Sequence, residues 1–321
     1  MTWLDLRYRA EYLVFRVLVC VLQAMSPRRC VWLAETLAFF VFRVLPRKLT
    51  RYEVARQNIQ TAFRGRYTEK QIDEIIFRMW VHLFRMIAEI THLTRKFHVN
   101  NAFSVLSFRN RSDIVRPLCS ERPVIVLSGH YGNWEMSLSS LGVFGFPINV
   151  VARDLDNPYL HNWFFRFRQA TGHQMIGKKG AFGRMASVLE QGGNIALLCD
   201  QDAGLRGTFV DFFDRKASTF PTIARLAIEF QAYICVGYSR RLPDDFENHE
   251  WVHFEMGCEE VVDPLLFQGD DAIQQITQQF TRALERLIRR SPEQYLWAHR
   301  RWKTSPQQAE ANKRIRRKKA G

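Results

Sequence analysis

The segment Ser128-Gly129-His130-Tyr131-Gly132-Asn133-Trp134-Glu135 sets an imidazole and a carboxylate five positions apart, directly after an apolar run that begins at Pro123. Histidine titrates near neutrality, so such a pair can do general-base work. Glu135 would orient one ring nitrogen while the other takes the proton of a substrate hydroxyl. On one continuous helix, five steps of about 100° would leave the two side chains roughly 140° apart, too far round to meet. They meet only if His130 lies in a strand-to-helix turn loosened by Gly129 and Gly132, with Glu135 in the first helical turn. Taken alone, a His-x4-Glu is more often a polar pair that caps a helix.

Other chemistries fit less well. Ser128-Gly129-His130 is not the GxSxG of a nucleophile elbow. The chain has no HExxH for zinc, and Gly177-Lys178-Lys179-Gly180 lacks the Lys-Ser/Thr of a phosphate-binding P-loop. Asp200-Gln201-Asp202 follows an apolar run, where two carboxylates can hold Mg²⁺ but as often only shape a loop. Arg153, Arg166 and Arg168 could clamp a phosphate or pantetheine group bidentately, although each taken singly reads more plainly as part of a solvated basic face.

Positioning these groups takes strands and helices in alternation. The short apolar runs Val124 to Leu127, Ile148 to Ala152, Ile195 to Cys199 and Tyr233 to Tyr238 read as buried strands. Helical patterns lie between them at about 131 to 143, 158 to 171, 181 to 191 and 217 to 230. Trp251 to Met256 reads as a further strand and residues 270 to 290 as a helix. Upstream, Thr68-Glu69-Lys70-Gln71 has capping-box spacing, and Ile72, Ile75, Ile76, Met79, Trp80, Leu83, Phe84 and Ile87 recur at helical intervals, giving a long amphipathic helix that ends before Lys96. The expected class is α/β, with a mixed, largely parallel sheet flanked by helices.

The 321 residues are 47% hydrophobic, enough for a full core, which excludes disorder as the main state. Lys and Arg number 46 against 32 Asp and Glu, a formal charge of +14 that implies an anionic partner. With 25 Phe and 8 Trp in a basic chain, an apolar ligand or bilayer interface is favoured over a nucleic-acid groove. The six cysteines have no CxxC or Cys/His spacing and read as reduced thiols in a cytosol-facing protein.

Two apolar stretches, Tyr12 to Met25 and Val31 to Leu45, are interrupted by Arg16, Glu35 and Arg43, so neither supplies about 18 uncharged apolar residues in a row. Asp5 and Glu11 offset Arg7 and Arg9, which argues against a secretion signal. A pair of helices rich in Leu, Val, Phe and Trp with interspersed arginines suits a headgroup layer. The expected division is a membrane-anchoring region over 1–45, a catalytic domain over 46–305 and a basic tail over 306–321, with Lys313 to Lys319 lacking apolar periodicity.

Several blocks together resemble a known family. His130 through Glu135, Arg153-Asp154-Leu155-Asp156-Asn157-Pro158, Leu198-Cys199-Asp200-Gln201-Asp202 and Pro292 through Lys303, with Arg56-Gln57-Asn58 and Ala62-Phe63 upstream, are similar in order and spacing to the bacterial late acyltransferases of lipid A biosynthesis, the lauroyl/myristoyl transferase type within the lysophospholipid acyltransferase superfamily. The resemblance implies a monotopic enzyme on the cytoplasmic face of the inner membrane that moves a fatty acyl chain, usually from acyl carrier protein with acyl-CoA as the other donor, to a hydroxyl of a lipid A precursor, an anionic glycolipid. It implies no metal, no cofactor and no nucleic acid. It makes His130 and Glu135 the catalytic dyad. Arg153, Arg168, Asp200 and, within the first block, Asn133 become substrate-binding positions. The block with Arg300, Arg301 and Lys303 is either structural or headgroup-binding. Ala217-Ser218-Thr219 stands where a threonine-rich stretch is common, and Arg16 departs from an uninterrupted anchor. For the oxyanion, Arg153 or a backbone N–H after Gly129 is the expected donor. Two rival readings are the same chemistry on another glycolipid or lysolipid with acyl-CoA, and a non-catalytic peripheral membrane-binding protein.

Overall fold

The computed structural model describes residues 2–177 and 180–312; the basic run Lys313 to Lys319 and the pair Lys178-Lys179 lie outside the described residues. Four helices lead the chain: α1 (Trp3–Ala24), α2 (Pro27–Phe39), which continues into a π-helical turn (Phe40–Val44), α3 (Tyr52–Phe63) and α4 (Glu69–Lys96). The Thr68/Gln71 capping box starts α4 as its sequence predicts, satisfying two orphan amides reciprocally. Then come α5 (Ala102–Val105), β1 (Leu106–Arg109), α6 (Ser112–Leu118), β2 (Val124–Ser128), α7 (Trp134–Val143), β3 (Asn149–Ala152), α8 (Pro158–Gln169) and β4 (Gln174–Gly177). The remainder is α9 (Ala181–Glu190), β5 (Ile195–Leu198), the hairpin β6 (Thr208–Phe212) and β7 (Arg215–Thr219), α10 (Thr222–Glu229), β8 (Tyr233–Arg241), β9 (Phe254–Val262) and α11 (Ala272–Arg290).

Seven strands form one sheet in the order β1-β9-β8-β2-β5-β3-β4, parallel at every pairing except β8 with β9. The α/β class and the largely parallel sheet expected from the sequence are therefore present. All five residues of β2 are buried, as a central strand covered by helices on both faces requires. Pairing of β2 with β5 in the register Ser128↔Leu198 sets the turns that leave these two strands side by side at the sheet's carboxyl edge.

Two of the expected elements are placed differently in the structure, and α3, α5, α6, β1, β4 and β6 are additional to the sequence reading. Residues 217–219 belong to β7, not to a helix starting at 217, because Phe213 and Asp214 adopt left-handed backbone (φ 51° and 54°) and fold β6 back on β7 before Pro221 opens α10. The strand placed at Trp251 to Met256 is displaced to Phe254–Val262. Its carboxyl half carries Glu259 and Glu260, which pair with Arg286 of α11, so a charged strand face is satisfied by a helix instead of water.

The N-terminal helices pack on the rest of the chain through polar ties as well as rings. Asn157 donates to the Tyr8 carbonyl and to Glu11 at 3.0 Å each, the Tyr159 hydroxyl donates to Asp5 at 2.9 Å, and Phe15 meets Trp163 edge-on. The opposite side of α1 is exposed and apolar at Leu13, Val14, Val17, Leu18 and Val21, a spacing that makes one helical face. Among the described residues no helix is long and apolar enough to cross a membrane.

Candidate functional site

His130 lies in the turn between β2 and α7, where the sequence reading put it. Two glycines make the turn possible. Gly132 has φ +59°, and a Cβ there would fall 2.0 Å from the Ser239 carbonyl oxygen; at Gly129 a Cβ would meet Leu284 at 2.8 Å. The turn is strapped to its neighbours by backbone bonds: Gly132 N–H to Gln294 O (2.9 Å), Asn133 N–H to Ser239 O (2.8 Å) and Leu296 N–H to His130 O (3.0 Å).

The carboxylate that meets the imidazole is Asp200, not Glu135. His130 Nδ1 lies 2.8 Å from Asp200 Oδ1, and the His130 backbone N–H donates to Asp200 Oδ2, also at 2.8 Å. A carboxylate only accepts, so Nδ1 carries the proton and Nε2 is left as the basic nitrogen. The His130 side chain keeps 19% exposure while that of Asp200 keeps 4%, and Trp134 stands edge-on to the imidazole with centroids 5.2 Å apart. Burial works to lower the His130 pKa, but the Asp200 charge and hydrogen bond outweigh it and the net shift is upward. Burial likewise works to raise the Asp200 pKa, and the imidazole together with the His130 amide holds it below the ordinary value.

Glu135 occupies the first turn of α7 as expected but is turned to α8. Its two oxygens accept from Arg168, Nη2 at 2.6 Å and Nε at 3.1 Å, a bidentate pair that joins the helices and uses the carboxylate the sequence reading had assigned to His130. Arg168 is thus committed to Glu135. Asn133 is fully buried and does not face an opening: its carbonyl oxygen caps α7 at Met136 N–H (3.0 Å) and its amide donates to Glu89 (2.8 Å). Arg153 is exposed on the loop after β3, with Asp156 at 3.8 Å, two strands away from β2 in the sheet. The amides of His130, Gly132 and Asn133 are all spent, so these three N–H groups after Gly129 are not free to bind an oxyanion.

Beneath the turn lies a buried polar assembly that the sequence reading missed. Arg241 of β8 donates to both oxygens of Glu89 (2.5 and 2.9 Å), and its Nη1 lies 2.9 Å from His82 Nδ1. The guanidinium can only donate, so His82 Nδ1 accepts and Nε2–H donates to the Gly132 carbonyl at 3.1 Å. Burial first, and Arg241 second, push the His82 pKa well down, holding the ring in that neutral tautomer. The signal for this assembly was available: Met79, His82, Met86, Glu89 and Leu93 follow the 3-4 spacing of the buried face of α4, and two of the five are polar.

The turn after β5 is fixed from the other side. Arg301 is 3% exposed and donates to the Ser218 carbonyl and Thr219 hydroxyl at 2.6 Å each. Asp202 accepts from Thr304 N–H and Oγ1 and from Gly204 N–H. Beside this turn opens a cavity of about 780 Å³ whose walls include Asp202, His299, Arg300 and Lys303. Among the described residues no cluster of three or more His, Cys, Asp or Glu side chains could hold a metal ion.

The family described as bacterial lipid A biosynthesis acyltransferase matches residues 2–304. The chain is 24% identical over 261 residues to a lipid A biosynthesis palmitoleoyltransferase of Escherichia coli, covering 80% of each chain. It is 26% identical over 191 residues to a lipid A biosynthesis lauroyltransferase of the same organism, 58% of each. Over 112 residues it is 29% identical to a phosphatidylinositol mannoside acyltransferase of Mycolicibacterium smegmatis, 34% of this chain and 37% of that protein.

Proposed function

Since the chain belongs to the bacterial lipid A biosynthesis acyltransferase family, and is thereby an acyltransferase, we propose that it moves a fatty acyl chain from a carrier thioester to a hydroxyl of a lipid A precursor, with His130 as general base and Asp200 as its partner. The observation that carries this reading is the 2.8 Å contact between His130 Nδ1 and Asp200, which leaves Nε2 basic in a side chain that retains exposure.

Nε2 takes the proton of the acceptor hydroxyl as its oxygen attacks the thioester carbonyl. Asp200 stabilises the imidazolium that forms. The tetrahedral intermediate collapses with rupture of the C–S bond, and the imidazolium returns the proton to the departing thiolate. An ester and a free thiol result, and the imidazole is neutral again. Glu135 and Arg168 act one step away, joining α7, which follows the turn, to α8.

The acceptor is a membrane lipid, and the exposed apolar face of α1, continued by Trp32, Phe39 and Phe40 on α2 and the π-turn, suits an enzyme lying in the headgroup layer of the inner membrane's cytoplasmic face. Acyl carrier protein is the proposed donor, its acidity complementing the +14 of this chain.

The test is purified protein in detergent with a tetra-acylated glucosamine disaccharide and either acyl carrier thioester or acyl-CoA, followed by mass spectrometry. One added chain on the disaccharide, with at least about a hundredfold loss in His130→Ala, is the expected result. No added chain with either donor, or full activity in His130→Ala, overturns the proposal.

A further inference from the structure

Five cations converge on the cavity beside the Asp200–Asp202 turn: Arg47, Lys48 and Arg51 from the segment entering α3, and Arg300 and Lys303 from the terminal block. Among the described residues none of the five has a carboxylate within ion-pair distance, whereas arginines elsewhere, such as Arg122, Arg168 and Arg241, are matched to one. The two acids in the wall do not neutralise them. Asp202 accepts from Thr304 and the Gly204 amide, Glu53 has Arg56 at 4.0 Å, and five cations against two acids leave the wall with a surplus of positive charge. Arg47 stacks on Tyr52 with its guanidinium carbon 4.2 Å from the ring centroid, which fixes its direction while leaving its donors available. Arg51 is the residue that opens α3, with a left-handed backbone (φ 52°).

The cavity borders the reaction centre. Asp202 lies two residues beyond the His130 partner Asp200, and His299, also in the wall, carries a buried Nδ1 with no hydrogen-bond partner. On its outer side the cavity adjoins apolar surface. Arg47 and Lys48 follow the π-turn with exposed Phe40 and Val44, and Leu49 beside them is 72% exposed.

Resting on the acyl-transfer reading, we infer that this cavity is a phosphate subsite, which holds a phosphate group of a substrate while Nε2 of His130 addresses the reacting hydroxyl. Converging guanidinium and ammonium groups without internal counter-ions recognise a multiply charged oxyanion. The adjoining apolar rim admits one carried by a lipid. The same chemistry is present in the phosphopantetheine arm of an acyl donor, and the two sources separate by kinetics.

The substitutions Arg51→Ala, Arg300→Ala and Lys303→Ala, singly and combined, change exposed side chains; Arg116→Ala on α6 controls for one lost charge, and Arg95→Ala, Arg111→Ala and Arg116→Ala together control for three. With a phosphorylated tetra-acyl disaccharide, the combined variant should raise the acceptor KM at least tenfold, and the preference for phosphorylated over dephosphorylated acceptor should fall below threefold. A tenfold rise in the KM of the acyl carrier thioester, with the acceptor KM unmoved, assigns the phosphate to the donor. If neither KM moves more than twofold, the inference is overturned. A second readout needs no turnover: inorganic pyrophosphate should bind wild type and the Arg95→Ala/Arg111→Ala/Arg116→Ala control saturably by calorimetry at fixed ionic strength, and the combined variant not. Equal binding to all three overturns the subsite. Saturable binding to a wild-type protein that acylates no glycolipid leaves the subsite standing and removes the acyl-transfer reading.

Discussion

Asp200→Asn separates the structural pairing from the one the sequence suggests. The replacement is nearly isosteric, and the geometry dictates how the amide must sit. The His130 backbone N–H donates to one Asp200 oxygen at 2.8 Å, so the Asn carbonyl stays there and its NH₂ group faces Nδ1. Nδ1 must then accept, which sends the ring proton to Nε2 and removes the base from the hydroxyl. Wrong tautomer and lost imidazolium stabilisation together should lower kcat by about 10²–10⁴, or roughly 3–5 kcal/mol in the barrier. The pH profile carries a second signature. In wild type the acid limb of kcat/KM should fall above the ordinary histidine value, because Asp200 outweighs the burial of His130. With the charge gone only burial remains, and the limb of the residual activity moves to lower pH. The assay is steady-state acyl transfer between pH 5 and 9 with calorimetric confirmation of folding. Activity within tenfold of wild type and an unmoved acid limb, alongside collapse of that limb in Glu135→Gln, would return the partnership to Glu135 and refute the reasoning.

Glu135→Gln should cost about 3 kcal/mol in chemical denaturation, since it leaves the Arg168 guanidinium without its bidentate counter-ion, yet keep the acid limb where wild type has it. Gly132→Ala forces a Cβ against the Ser239 carbonyl in a left-handed turn, and a loss of at least ~2 kcal/mol together with a sharp fall in activity is expected; a variant as stable as wild type would contradict the turn geometry. The His130–Asp200 pair should contribute most to stability between about pH 4 and 6.5. Its raised imidazole value means loss as pH rises through the folded His130 pKa, and its depressed carboxyl value means loss as pH falls through that of Asp200. The gap in Tm between wild type and Asp200→Asn, followed across pH, measures it. Leu13→Asp with Val17→Asp on the exposed face of α1 should lower co-sedimentation with anionic vesicles at least tenfold at unchanged Tm; undiminished binding would remove α1 from the membrane contact.

The partner of His130 was hidden from the sequence for a definable reason. Gly129, His130 and Gly132 after an apolar run announce a strand-to-helix turn, because local backbone demands are written locally. The carboxylate is another matter. His130 and Asp200 are 70 residues apart and are brought together only by the register Ser128↔Leu198 between β2 and β5, continued by the Cys199 N–H to Ser128 O bond. A run of buried Val, Ile and Leu is compatible with several neighbours and registers, so no spacing rule reaches across two strands. Asp200 was legible as a polar residue at a strand's carboxyl edge, but its role was not. Glu135 misled in the opposite sense: its position in the first turn of α7 was right, yet a side chain five residues on competes with every cation that tertiary packing supplies, and Arg168 of α8 offers two hydrogen bonds and a full charge where the imidazole offers one.

Tertiary packing likewise divides the terminal block between two roles that sequence alone leaves undivided. Arg300, Arg301 and Lys303 are equivalent as charges but not as positions. Arg301 points inward and donates to Ser218 and Thr219 of β7 and, at 3.4 Å, to the Gln201 carbonyl, tying β7 to the turn that carries Asp200, while Arg300 and Lys303 line the cationic cavity. One short segment thus braces the turn that carries the imidazole's carboxylate and lines the neighbouring cavity with positive charge. The two duties imply different failures. Loss of Arg301 should appear as lost stability, because two buried acceptors lose a charged donor. Loss of Arg300 or Lys303 should appear in KM with Tm preserved. If Arg301→Ala melts with wild type and alters only KM, the division drawn between brace and binding surface is wrong.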